Sequence, residues 1–262
     1  ITEGLVGSEM CIRDRMMPTH LQNYFKNAGS DYPHNVCVRA LSVTQISESG
    51  QVYSTKEIGE LSRIANQQGL SIHMDGARFA NAIASLGCTP AEMTWKAGVD
   101  VLCLGATKCG ALSLEAVVFF NKHLSKDFTQ RRKRSGHLLS KGRLFGAQMV
   151  GWLKDSHWLD LATHANQQAK KLSDALMAID QIELAWPVQA NELFVIMPKG
   201  LATHLQSAGA EFYEWSENTL PETIKLANGQ TYVRLVTSFS TQDSQCELFI
   251  ENITDYFENQ AR

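Results

Sequence analysis

The sequence predicts an α/β protein with a mostly parallel sheet, followed by a smaller C-terminal α+β module. Three observations carry this expectation. Strand, helix and strand signals follow one another between Val36 and Met74, the order of a βαβ unit, and such a crossover implies parallel strands. Two short apolar runs, Leu70–Met74 and Val99–Leu104, each end in a polar cluster: Asp75-Gly76-Ala77-Arg78 after the first, Gly105-Ala106-Thr107-Lys108 after the second. Beyond Trp158 the pattern changes to short strands with helices set to one side, as in an α+β unit.

Taken in order, residues Ile1 to Arg15 show no periodicity and are set apart as an artefact or a disordered terminus. Residues 16–156 then form the large domain and 157–262 the small one. Val36 to Ile46 interleaves Val, Leu and Ile with polar residues, a strand signal. After a turn at Glu48 to Tyr53, Ser54-Thr55-Lys56-Glu57 is a capping box that opens a helix. Ile58, Leu61, Ile64 and Ala65 give that helix one apolar face, and Gly69 ends it. Phe79–Leu86 is a short helix stopped by Gly87.

Glu115 to Asn121 is apolar enough to be a strand buried on both faces. Lys122 to Arg134 is polar and helical, and Leu144–Leu153 and Trp158–Ile179 are two more helices. In the longer one Leu161, Ala165, Ala169, Leu172 and Leu176 line one face. Ile182–Trp186, Leu193–Met197, Glu211–Trp215 and Tyr232–Val236 are strands, with helices at Leu201–Ala208 and Thr241–Phe257.

Composition narrows the function. A hydrophobic share of 44% and a charged share of 19% are globular values. The net charge of −3 gives no pull toward nucleic acid or an anionic membrane. No apolar run approaches the ~20 residues of a membrane span. The six cysteines (Cys11, Cys37, Cys88, Cys103, Cys109, Cys246) have no metal-ligand spacing, which points to a reduced, cytoplasmic protein without a metal site. The basic run Arg131–Arg134 has no interleaved aromatics and reads as a solvated helix face.

The chemistry lies in the two polar clusters. An open α/β sheet binds ligands outside the carboxyl ends of its strands, so Asp75 and Lys108 face one crevice. That pair suits pyridoxal 5′-phosphate: the lysine forms a Schiff base with the aldehyde, and the carboxylate keeps the pyridinium nitrogen protonated. Taken singly, each residue has a plainer reading. Asp75 could close an Asx-turn with Gly76. Lys108 could be a surface lysine, and Arg234 an exposed edge-strand arginine.

Asp75-Gly-Ala-Arg-Phe-Ala-Asn-Ala82, with Thr107-Lys108 placing the lysine 33 positions after the aspartate, resembles the low-specificity L-threonine aldolases. These belong to the aspartate-aminotransferase-like (fold type I) pyridoxal phosphate enzymes, within the beta-eliminating lyase/threonine aldolase group. The resemblance runs from about Leu21 to Phe257. It implies Lys108 as the Schiff-base lysine, Asp75 on the pyridinium nitrogen, and Thr107 on the cofactor phosphate. It also implies Arg78 and Arg234 on the substrate carboxylate, which a guanidinium matches bidentately. His73 points the same way along its strand as Asp75, and either supports it or is a buried histidine.

The implied reaction is cleavage of L-threonine or L-allo-threonine to glycine and acetaldehyde by a homodimer or homotetramer. Family members carry a further N-terminal stretch with the phosphate-cradling Gly/Thr loop and a ring-stacking histidine. Neither is found here, so the chain reads as N-terminally truncated. The competing readings are another fold type I enzyme, a β-eliminating lyase or aminotransferase, and a non-catalytic fragment.

Overall fold

The computed structural model describes residues 15–27 and 38–260. The segment set apart at the N-terminus lies outside them except for Arg15, as do the first residues of the strand expected from Val36. Arg15 is packed into the fold: its Nη1 donates to Val52 O at 2.6 Å and pairs with Glu57.

The first half runs α1 (Pro18–Asn27), β1 (Ala40–Thr44), α2 (Thr55–Gln67), β2 (Ser71–Gly76), α3 (Phe79–Leu86), a single turn α4 (Pro90–Met93), β3 (Val101–Gly105) and β4 (Glu115–Phe119). The sheet order is β1-β2-β3-β4; β1, β2 and β3 are parallel and β4 is antiparallel to β3. The capping box forms as read: Glu57 N donates to Ser54 Oγ, and Ser54 N donates to Glu57 Oε2 at 2.7 Å. Gly87, at φ 62°, ends α3 in the left-handed region where a side chain would strain the backbone.

Alternation sorts the sheet's faces. Leu41, Val43, Ile72, Met74 and Leu102 are buried in a core with Ile58, Leu61, Phe79 and Ile83. Ser42, Thr44, His73, Asp75 and Cys103 point to the other face and are only half-buried. β4 departs from expectation. It is not buried on both faces, and Val117 is 40% exposed. Among the described residues β4 pairs only with β3, so its apolar run covers an edge rather than a centre.

The chain continues through α5 (Phe128–Arg134), α6 (Arg143–Leu153), α7 (His157–Leu176), β5 (Glu183–Leu184), β6 (Glu192–Pro198), α8 (Lys199–Ser207), β7 (Tyr213–Glu214), β8 (Gln230–Val236) and α9 (Asp243–Gln260). The helix expected over Lys122 to Arg134 is interrupted: a 3-10 turn ends at Ser125, and α5 starts after Asp127, which sits at φ 60°. The second sheet is antiparallel throughout, in the order β5-β6-β8-β7. Leu193, Val195, Met197, Val233 and Leu235 pack on Leu201, Leu205 and Ile253. β5 and β7 are two-residue strands, shorter than their apolar runs suggest.

α7 joins the halves. Its Trp158 and Ala162 belong to the first core, and Ala169, Leu172 and Leu176 to the second. Asn166 Nδ2 donates to Asn81 O at 2.9 Å, fixing the helix to α3 between the two cores. Among the described residues no helix is long and apolar enough to cross a membrane.

Candidate active site

Parallel pairing places the carboxyl ends of β2 and β3 side by side, with Asp75 opposite Cys103 and Gly76 opposite Leu104. Beyond β3 the chain turns through a 3-10 segment, Thr107–Cys109. Cys109 faces inward: Trp152 Nε1 donates to Cys109 O at 2.7 Å, and the thiol donates to Trp158 O at 3.4 Å. Burial pushes that thiol up to about 11. With Cys109 anchored inside, its neighbour Lys108 is exposed at the strand end. Thr107 Oγ1 accepts from Leu114 N at 3.0 Å, closing the loop that returns to β4. The hydroxyl expected on a phosphate is thus also a loop fastener.

Asp75 Oδ1 accepts from Ala77 N at 3.0 Å, the Asx-type turn that its sequence context allows. On the same face Ser42 Oγ and His73 Nδ1 are 2.8 Å apart, and His73 Nε2 lies 3.3 Å from Cys103 Sγ. Burial lowers the affinity of His73 for a proton, opposed by the charge of Asp75. Burial raises the pKa of Cys103, and the carboxylates of Asp75 and Glu115 raise it further.

Glu115 was not singled out in the sequence. A Cβ on Gly105 would stand 2.9 Å from both Ala77 Cα and Glu115 Oε2, so glycine is what lets these three ends close together. Burial raises the pKa of Glu115; the Thr107 hydroxyl lowers it, Asp75 raises it, and Lys108 lowers it. The only signal in the sequence was an acidic residue opening an apolar strand.

Arg78 and Arg234, 156 residues apart by subtraction of their numbers, meet at one carboxylate. Glu192 Oε1 lies 2.8 Å from Arg78 Nη2 and 3.6 Å from Arg234 Nη1. The Glu192 side chain is 1% exposed. Arg234 is held from its other side by Trp215, with its guanidinium carbon 3.9 Å from the ring centroid. Arg234 is therefore neither an exposed edge residue nor alone. Burial raises the pKa of Glu192, while Arg78 and Arg234 pull it down; Glu48 raises it and Lys108 lowers it. Glu192 too escaped sequence reading, because a lone glutamate before Leu-Phe-Val-Ile-Met gives no sign of two distant arginines.

Together these groups offer an accessible amine, a carboxylate on the adjoining strand end and a pair of guanidiniums. The donor set fits pyridoxal phosphate: Lys108 could bind its aldehyde and Asp75 its ring nitrogen, beside a half-buried polar sheet face. The basic run Arg131–Arg134 lies exposed on α5. No group of three or more His, Cys, Asp or Glu among the described residues is placed to hold a metal ion.

The chain is similar to known proteins over most of its length. It is 47% identical over 175 residues to the low specificity L-threonine aldolase of Pseudomonas sp. strain NCIMB 10558, and 45% identical over 175 residues to that of Pseudomonas aeruginosa. Each alignment covers 67% of this chain and 51% of the relative, so the chain spans about half the length of the curated relatives it matches. Among solved structures, the Leishmania major threonine aldolase superposes with a TM-score of 0.82 at 27% identity, covering 92% of this chain and 67% of that one. The fold is accordingly that of the fold type I pyridoxal phosphate enzymes. The profile of the beta-eliminating lyase family matches residues 3–199, well over half the chain, and the chain belongs to that family.

Proposed function

We propose that this chain carries the core of an enzyme that cleaves L-threonine or L-allo-threonine to glycine and acetaldehyde, with pyridoxal 5′-phosphate as cofactor. The observation that carries the reading is the side-by-side ending of β2 in Asp75 and β3 ahead of Lys108. The similarity to the Pseudomonas aldolases favours threonine over other amino acids. The bound cofactor supplies a sink for the electron pair released when Cα–Cβ breaks.

The chain's own residues supply the rest. The amine of Lys108 would hold the cofactor through its aldehyde. Asp75 keeps a proton on the ring nitrogen, and its turn to Ala77 N fixes the carboxylate's direction. Arg78 and Arg234 would grip the substrate carboxylate, and so fix the direction of the Cα–Cβ bond. Thr107 contacts the phosphate. The β-hydroxyl proton leaves to a histidine or a bound water. On this reading the enzyme is cytoplasmic, takes a small amino acid as substrate without nucleic acid or membrane as partner, and works in full length as a homodimer or homotetramer.

The test is an absorbance scan of the purified chain with pyridoxal phosphate, beside Lys108→Ala. A band near ~420 nm, expected for this cofactor bound through a lysine, should be lost in the variant. Acetaldehyde release from threonine then tests the reaction. Pyruvate and ammonia from cysteine or tryptophan in its place would make the protein a β-eliminating enzyme on the same fold.

A further inference from the structure

Glu192 stands where the proposed reaction needs a substrate carboxylate. It is nearly inaccessible, at the start of β6, and it faces one arginine from the turn between β2 and α3 and another from β8. Although Oε1 is within ion-pairing distance of both, neither carboxylate oxygen completes a well-aligned hydrogen bond. A buried charge held without directional hydrogen bonds is poorly compensated for its desolvation. Each guanidinium has five donors, so one shared oxygen leaves most of them free for a second anion. Two guanidiniums and one carboxylate leave a single net positive charge, which one incoming α-carboxylate would neutralise.

We propose that Glu192 is the resting counter-ion of the arginine pair: it draws Arg78 and Arg234 to a common point and, by competing for them, sets how tightly they take up a substrate carboxylate. This rests on the reading of both arginines as the carboxylate grip. Without Glu192 the two guanidiniums, one at the start of α3 and the other on β8, would repel each other across the site. With it they are poised together, and part of their attraction is already spent. Glu192 is thus a positioning residue that tunes specificity for amino-acid carboxylates, acting through the arginines.

The test titrates acetate, a bare carboxylate, against matched chloride, following the acetate methyl signal by NMR. It uses the cofactor-free chain, Glu192→Gln, Glu192→Asp and Arg234→Gln. Removing a full charge from this site should tighten acetate binding about tenfold in Glu192→Gln, whereas Arg234→Gln should weaken it. A merely structural role for Glu192 would weaken binding or leave it unchanged. If Glu192→Gln binds acetate no better while Arg234→Gln still weakens it, the counter-ion proposal is overturned and the arginine grip stands. Binding that ignores Arg234→Gln, or no binding in any variant, overturns both. Should Glu192→Gln not fold, Glu192→Asp is read instead. Its charge is drawn back by one methylene, so binding should tighten about threefold; unchanged binding there also overturns the proposal.

Discussion

His73 and Cys103 meet across the β2–β3 pair, imidazole Nε2 to thiol Sγ at 3.3 Å, and Ser42 closes the other side of the ring. Burial in this half-buried polar row disfavours the imidazolium, and this fixes how stability depends on pH. Its folded pKa lies below the unfolded value of about 6.5 because burial disfavours the cation. As pH falls through that value the unfolded chain takes up the proton first, so stability is lost from there down to the folded pKa. Glu192 works in the opposite sense, since its raised pKa adds stability as pH falls. The expected result is that His73→Gln shows a smaller fall in melting temperature between pH 7.5 and 5.5 than the parent. An equal fall would remove His73 as the cause.

Breaking the arginine pair should be unequal. Arg78→Met leaves Glu192 without its 2.8 Å partner and should destabilise by about 3 kcal/mol, the cost of stranding a buried charge. Arg234→Met, at 3.6 Å, should cost about 1–2 kcal/mol, including the lost contact with Trp215. Adding Glu192→Gln to either should recover part of the loss. Urea unfolding of the single and double variants measures this coupling, and strict additivity would show that the three charges do not act together.

The thiols should separate by reactivity. Burial lifts Cys109 to about 11, leaving almost no thiolate at pH 8. Site-resolved mass spectrometry after treatment with a thiol reagent should find Cys88, Cys103 and Cys246 labelled well before Cys109. Early labelling of Cys109 would mean that the Thr107–Cys109 turn opens readily, and Lys108 with it.

Gly105→Ala should disturb the site out of proportion to its size. The added methyl would stand 2.9 Å from Ala77 Cα, which is backbone and cannot swing aside. A loss of about 1–3 kcal/mol is expected from overpacking, together with weaker cofactor binding in a 420 nm titration. Wild-type stability and cofactor affinity would show that the three strand ends are looser than this geometry.

Trp158 ties α7 to the first core, stacking on Phe79 at 6.4 Å and tilting against Trp152 at 5.2 Å. Trp158→Ala should cost about 3–5 kcal/mol. Because the same helix is buried in the second core, both halves should still melt in one transition. Two resolved transitions in a calorimetric scan would show that α7 does not couple them.

What could be read from the sequence was local. The Ser54/Glu57 cap, the Gly87 stop and the apolar face of α7 depend on residues within a turn or two of one another, and each is found where its spacing indicates. One residue of that face, Leu161, is only half-buried, while Trp158 and Ala162 take the inner positions. The ends of β2 and β3 were legible for the same reason, since a βαβ crossover sets neighbours. Glu192 was not, because its partners arrive from the start of α3 and from β8 through tertiary packing that no short pattern encodes. β4 was misjudged because apolar content does not distinguish a central strand from an edge. Thr107 shows the remaining gap: the residue was noticed, but its tie to Leu114 N was not.

α7 is a rod of twenty residues with one end in each core, and it follows Asp155 and Ser156, both in left-handed backbone conformations. Lys108 and Arg78 sit with the end anchored by Trp158, while Arg234 and Glu192 ride on the sheet packed against the other. A roll of the second sheet about that rod would shift Arg234 relative to Arg78 and leave Lys108 with the first core. The separation of Arg78 from Arg234 is therefore a built-in caliper for the angle between the halves, and a crosslink or distance probe across it would read that angle directly.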